Sequence, residues 1–404
     1  LSSMLRVDEP GEHPEVIKGN DALVLLERGM LHQARGDYES ARSDLGLADK
    51  ELELLDFTNS TAGDVASYFY SDDAGSYKIS PVERLSLNAL NILNYLALGD
   101  LKGARVEAKR FQVMQKYLKD TAPDHAHGAI GSYLAGFVFE RLGEYNTALR
   151  YYDEALEEGR FDTLRGPVRR LASKGSYRGK NVKKLLASDN AAAGNQVEGG
   201  GEILVITGVG RVPYKIPERM PIGAAVGIVA ADVTGDLGVL ERSAFKVLVF
   251  PDLVPAVGVH RQARASIDGR AVGVEQVTNF GAELVREYED IKPKILAAAV
   301  TRMITRAVVA EGARLAGQEA KGQAGSILGV LAGLAAESLL VAADKPDTRS
   351  WTLLPDRVLV SRERLPAGSH EVVVELGLPP GEQHIAHVEV PEGGYALVVV
   401  MPLH

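Results

Sequence analysis

The 404-residue chain contains no cysteine. Disulfides, thiolate nucleophiles and cysteine-based metal sites are therefore excluded. The same absence leaves the compartment open, because periplasmic proteins can also lack cysteine. Positive charge is short as well: 45 basic residues face 54 acidic ones, a net charge of −9. A general nucleic-acid binder is not expected from this balance, since phosphate contacts need a basic face. The opening LSSMLRVDEP has neither a basic start nor an apolar core, so no signal peptide is expected in it.

Catalytic signatures are missing too. No Gly-x-Ser-x-Gly elbow occurs. Gly208-Val209-Gly210 follows a strand-like run, but the third glycine of a dinucleotide loop is absent and Pro213 stands in its place. No helix pattern follows, so this reads as a turn. His125 and His127 are two apart; His384 and His387 are three apart on a strand and point to opposite faces. Neither pair has a companion carboxylate at ligand spacing. No catalytic, metal or cofactor site is expected, and the chain reads as a non-enzyme.

What is present is an ordinary globular composition, 46% hydrophobic and 25% charged, in a chain long enough for two or three domains. The expected class is α+β and multidomain. Its N-terminal half, residues 1–190, repeats one pattern three times. Gly36-Asp37-Tyr38 leads to Ala41, Leu45 and Ala48; Gly99-Asp100-Leu101 leads to Ala104, Ala108 and Phe111; Gly143-Glu144-Tyr145 leads to Ala148, Tyr152 and Ala155. Each is the turn and second helix of a tetratricopeptide-like hairpin, with glycine for the turn and alanine for close helix approach. Preceding helices are expected over 22–34, 79–98 and 128–142, the second opening at Ser80-Pro81 with Glu83 in its first turn. The turns are 63 and 44 residues apart, against a regular period of about 34. The first gap therefore holds an insertion, residues 56–77. Three hairpins supply either a concave groove for a protein partner or a packed helical domain.

From Asp162 to Asp189 there is no acidic residue, but eight basic ones, among them Arg169, Arg170, Lys183 and Lys184. With one interleaved aromatic, Tyr177, the run does not suit base stacking. It reads as a solvated connector or as a contact for an anionic partner. A glycine- and alanine-rich linker, 191–201, marks the domain boundary.

Residues 202–404 read as a β-rich, antiparallel, sandwich-like domain. Strands are expected at 202–207, 245–250 (ended by Pro251), 259–267, 271–277, 358–361, 371–376, 384–390 and 395–401, with turns at Asp268-Gly269 and Gly393-Gly394. A helical insertion, 280–343, interrupts them. In its first part Leu284, Tyr288, Ile291, Ile295, Ala299, Met303, Ala307 and Ala310 mark one helical face, with a kink or break expected at Pro293. Residues 322–343 carry one charge, Glu337, and three glycines four apart, Gly325, Gly329 and Gly333. That face would pack inside the chain, form a homo-oligomer interface or enter a membrane. The length suits a span, whereas Glu337 and the lack of flanking Trp or Tyr argue against one. The segment that follows holds Asp347, Arg349 and Trp351 between prolines. It reads as an ordered elbow with a buried indole and an Asp347–Arg349 contact, or as a binding spot, since Trp and Arg anchor interfaces.

The succession of hairpins, YLALGDLKGARVEAKR, the GEILVIT strand, the long helix and ADKPDTRSWTLLPDRVLVSRERLPAG resembles a family of uncharacterised tetratricopeptide-containing lipoproteins of Gram-negative bacteria. The likeness covers most of residues 20–404 and is most specific at 94–110 and 344–368. It implies a lipid-anchored location in the periplasm, at the outer membrane. The expected function is a non-enzymatic envelope scaffold that binds protein partners and self-assembles through the glycine face. The alternatives are a membrane-inserting or pore-associated component and, more remotely, a cell-wall enzyme.

Overall fold

The computed structural model describes residues 21–59, 76–121, 128–188, 200–229, 237, 247–256, 260–319, 346–378 and 381–403. The glycine face of Gly325, Gly329 and Gly333, and the His125/His127 pair, lie outside these residues.

Six helices form three hairpins: α1 (Asp21–Ala34) with α2 (Tyr38–Asn59), α3 (Pro81–Ala97) with α4 (Leu101–Thr121), and α5 (Ala129–Arg141) with α6 (Tyr145–Glu158). Gly36, Gly99 and Gly143 turn the chain at φ of 75°, 70° and 76°, a region other residues avoid. Ala41, Ala104 and Ala148, five positions on in each case, are fully buried where the paired helices meet. α3 starts on a complete capping box: Ser80 Oγ accepts from the Glu83 amide, and the Glu83 carboxylate accepts from the Ser80 amide.

The basic run is not a loose connector. It folds into a 3₁₀ turn (Asp162–Leu164) and two short helices, α7 (Arg165–Ala172) and α8 (Lys180–Ala187). Val168, Leu171, Val182 and Leu185 are buried, so apolar residues spaced for one helical face hold the run against the third hairpin.

The remainder is β-rich but not purely antiparallel. Strands β1 (Gly201–Val209), β6 (Glu275–Asn279), β7 (Arg357–Leu365) and β10 (Tyr395–Val400) form one sheet in the order β10-β1-β7-β6. In it β1 and β10 run parallel, Val205 opposite Val398. β4 (Ala263–Ile267), β5 (Arg270–Val272), β8 (Gly368–Leu376) and β9 (Glu382–Val390) form a second, antiparallel sheet, β5-β4-β8-β9.

Alternation along the strands explains the layering. Leu204 and Ile206 of β1, with Val358 and Val360 of β7, face the helices. Ile203, Val205, Leu359 and Val398 face the second sheet and share a core with Val372, Val374 and Leu376. The first sheet is thus largely apolar on both sides, which is why Ile203-Leu204-Val205-Ile206 is an unbroken apolar run. The first helices of the second and third hairpins, α3 and α5, are buried along nearly their whole length, and this sheet and the start of the long helix that opens at Phe280 lie against them.

Neither of two prolines at expected break points ends its element. The long helix α10 (Phe280–Glu319) continues through Pro293. Pro293 and Glu289, whose carbonyl loses its partner, are both exposed, so the unpaired carbonyl is not buried away from solvent. Strand β3 (Val247–Val254) likewise continues through Pro251, which lies opposite Pro217 of β2 (Tyr214–Pro221). Two residues without N–H can face each other where the ladder makes no hydrogen bond. This strand pair and α9 (Ile222–Val229) pack on α10 around Phe250, Tyr288, Ile295 and Met303, forming a separate core.

Candidate functional site at the junction of helices and sheet

One cluster of buried charged groups lies between α5, α7, β1 and β7. Glu202 and Arg362 occupy strand positions in phase with the helix-facing residues Leu204 and Val360, so both side chains point into the junction. Arg362 donates from Nη2 to Glu140 (2.8 Å) and Glu202 (2.7 Å), and from Nη1 to the Tyr152 hydroxyl (2.9 Å). Arg141 donates to Glu140 (2.9 Å) and Glu202 (2.7 Å). Arg170 on α7 reaches both carboxylates from the outer side. Tyr152 donates to Glu140 (2.6 Å). The Phe137 ring lies between two guanidiniums, 4.9 Å from that of Arg362 and 5.0 Å from that of Arg141. Gly136 makes room: a Cβ there would stand 2.4 Å from the Tyr152 ring.

Three arginines thus meet two carboxylates. Burial alone would raise the Glu140 carboxyl, but Arg362 and Arg141, with hydrogen bonds from Tyr152 and Arg362, bring it down to about 2. Glu202 is lowered in the same contest, burial opposing Arg362, Arg141 and Arg170. Arg362 is held well above its ordinary value, because Glu140 and Glu202 outweigh the cost of burying it. Burial and Glu140 keep Tyr152 protonated, and burial raises Tyr133 to about 12.

Carboxylates also bind backbone ends across the junction. Glu27 of α1 accepts from the Thr352 amide (2.7 Å), the Thr352 hydroxyl (2.8 Å) and the Leu353 amide (3.0 Å). Glu275 of β6 accepts from the amides of Asp162 and Thr163, both at 2.8 Å. Each half therefore supplies an acid that satisfies free N–H groups of the other.

A second polar cluster sits at the start of α3. Glu287 of α10 is fully buried beside the Ser80–Glu83 capping box, yet its carboxyl makes no hydrogen bond of ordinary geometry to Ser80 or the Val82 amide close by. Burial, with Glu83 adding like charge, raises it well above the usual range.

The residues singled out from the sequence fall in different places. Trp351 is fully buried and Arg349 pairs with Asp347 through two bonds, 2.8 and 2.7 Å, as in the elbow reading. Arg170 belongs to the junction cluster; Arg169 is half-buried; Lys183 and Lys184 are exposed on α8. These do not form one site. Glu140, Arg141, Glu202 and Arg362 were not anticipated. Their signal was available: charged residues in the buried phase of apolar strands, and a Glu-Arg pair closing the otherwise uncharged helix AIGSYLAGFVF.

Two cavities among the described residues hold about 50 Å³, beside Arg211, Arg261 and Asp356, and about 10 Å³, between Leu90, Ile130, Ile206 and Phe280. The first has room for a water or two; the second is lined by apolar side chains and offers a water no hydrogen-bond partner. Among the described residues no three His, Asp or Glu converge as a metal site, and no helix is long and apolar enough to cross a membrane. No family model, curated protein or solved structure matches the chain.

Proposed function

We propose that this chain is a non-enzymatic scaffold or adaptor of the Gram-negative cell envelope that holds protein partners. In this reading its hairpins are of tetratricopeptide type, its two packed sheets form a sandwich-like body, and it works in the periplasm at the outer membrane. Self-assembly through Gly325, Gly329 and Gly333 belongs to the same proposal.

The observation that carries the reading is the Arg362 cluster. Its acids and bases are matched to one another and join the third hairpin to the sheet. Such a junction makes one platform of two halves. It turns α3 and α5 toward the chain's own sheet and leaves the outward helices of the hairpins to a partner.

The test is chemical cross-linking in intact cells, followed by envelope fractionation and mass measurement. The scaffold reading expects a cross-linked species of defined composition in the envelope fraction, weakened by Arg362→Ala. Recovery only as a monomer outside the envelope would contradict it. Light scattering of Gly329→Leu against the parent chain tests self-assembly: an unchanged mass would remove that part.

A further inference from the structure

The outward face of α4 differs from the rest of this acidic chain. The helix has 21 residues and six basic side chains against two acidic ones, Glu107 and Asp120, of which Glu107 is buried. Ala104, Ala108, Phe111 and Leu118 hold its inner face in the core. Along the outer face run Lys102, Val106, Lys109, Val113 and Lys116, spaced by four and three in turn. That spacing makes a straight seam on a helix, the pattern that accepts a second helix. Val106 and Val113 are 54% and 70% exposed, and Tyr117 beside them is 49% exposed.

Charge on the seam is uncommitted. Arg105, Arg110 and Lys119, on its flanks, are paired with Glu144, Glu107 and Glu157. Lys102, Lys109 and Lys116 make no ion pair among the described residues. They recur every seven residues, roughly 10 Å along the axis. A helix with carboxylates at the same repeat and apolar residues between them would neutralise the lysines while covering the two valines.

We infer that the outer face of α4 is a docking surface for an acidic amphipathic helix of a partner protein. The inference rests on the scaffold reading and names the partner's chemistry. The lysine–valine seam supplies both terms of recognition: the valines exclude water, and the lysines fix register and reject basic or neutral helices.

The test places a photo-reactive benzoylphenylalanine at Val113 and, in separate full-length chains, at the exposed residues Ile228 and Ile385. Irradiation is done in intact cells, and the attached peptide is sequenced. The expected capture at Val113 is a peptide with acidic residues and apolar residues at spacings of three and four. A synthetic copy of that segment should bind the purified chain. The triple variant Lys102→Glu/Lys109→Glu/Lys116→Glu should bind it at least tenfold more weakly, and exchanging the peptide's carboxylates for lysines should restore binding to that variant. All three substitutions are on exposed positions, and an unchanged melting curve confirms an intact fold. A captured segment without acidic helical character, equal binding by the triple variant, or lipid adducts alone at Val113 with flotation on phosphatidylglycerol vesicles would overturn the inference. Capture at Ile228 or Ile385 with none at Val113 would remove this surface and leave the scaffold reading standing. Silence at all three positions would remove both.

Discussion

Arg362 and Phe137 stack at the centre of the molecule, guanidinium carbon 4.9 Å from ring centre, one on a strand of the C-terminal half and the other on a helix of the N-terminal half. The arginine's edges are taken by Glu140, Glu202 and Tyr152. A buried ion cluster of this kind contributes little or no net stability over an apolar equivalent, but removing one member leaves the others uncompensated.

Arg362→Ala should therefore destabilise the chain by about 3–5 kcal/mol, read from urea denaturation. Arg362→Lys should recover only part of this, because an ammonium cannot serve two carboxylates and a hydroxyl with one planar fork while stacking on Phe137. A lysine variant equal to the parent would show that charge alone holds the junction.

Acid should loosen the same junction. Glu140 and Glu202 are held below the ordinary carboxylate value when folded, so the unfolded chain takes up their protons first. The stability they contribute is present above the unfolded value of about 4.5 and is lost as pH falls toward the folded Glu140 value of about 2. The stability difference between the parent chain and Glu140→Gln, measured across this range, should shrink with falling pH. A difference independent of pH would contradict the assignment.

Glu287 should show the opposite sign. Its folded value is raised, so the folded chain prefers the neutral acid. Its ionisation costs nothing at low pH and opposes folding increasingly as pH rises above the unfolded value of 4.5. Glu287→Gln should raise the melting temperature at pH 8 more than at pH 4. Destabilisation at pH 8 would mean that the carboxylate has a charged partner.

Gly136→Ala should cost about 1–3 kcal/mol, since the added carbon meets the Tyr152 ring at 2.4 Å and the ring is fixed by Glu140 and Arg362. Combining it with Tyr152→Phe, which frees the ring from those bonds, should give less than the sum of the two costs.

The hairpins were legible because glycine, alanine and apolar spacing act locally: Gly36, Gly99 and Gly143 turn the chain where expected, and the Ser80–Glu83 box forms as its residues suggest. Strand positions near 202–207, 371–376 and 395–401 were legible from alternation and turn residues. The parallel pairing of β1 with β10 was not, because it joins distant segments with no local mark. Pro251 misled for a related reason: whether a missing N–H ends a strand depends on what the opposite strand offers there. The junction cluster was hidden in the same way. Arg170 drew attention as part of a basic run, but its carboxylates lie on α5 and β1. Glu202 and Arg362, charged residues in the buried phase of apolar strands, and the Glu140-Arg141 pair hinted that something polar had to meet them.

The absence of cysteine makes the central claim directly measurable. Spin labels can be attached at Glu157→Cys on α6 and Glu371→Cys on β8, both exposed and on opposite sides of the junction, without background labelling. If Arg362, Glu140 and Glu202 bind the hairpins to the sheet as one body, pulsed electron-spin distance measurement will give a single narrow distribution, broadened by Arg362→Ala. A broad or multiple distribution in the parent chain, unchanged by Arg362→Ala, would contradict a rigid two-part platform.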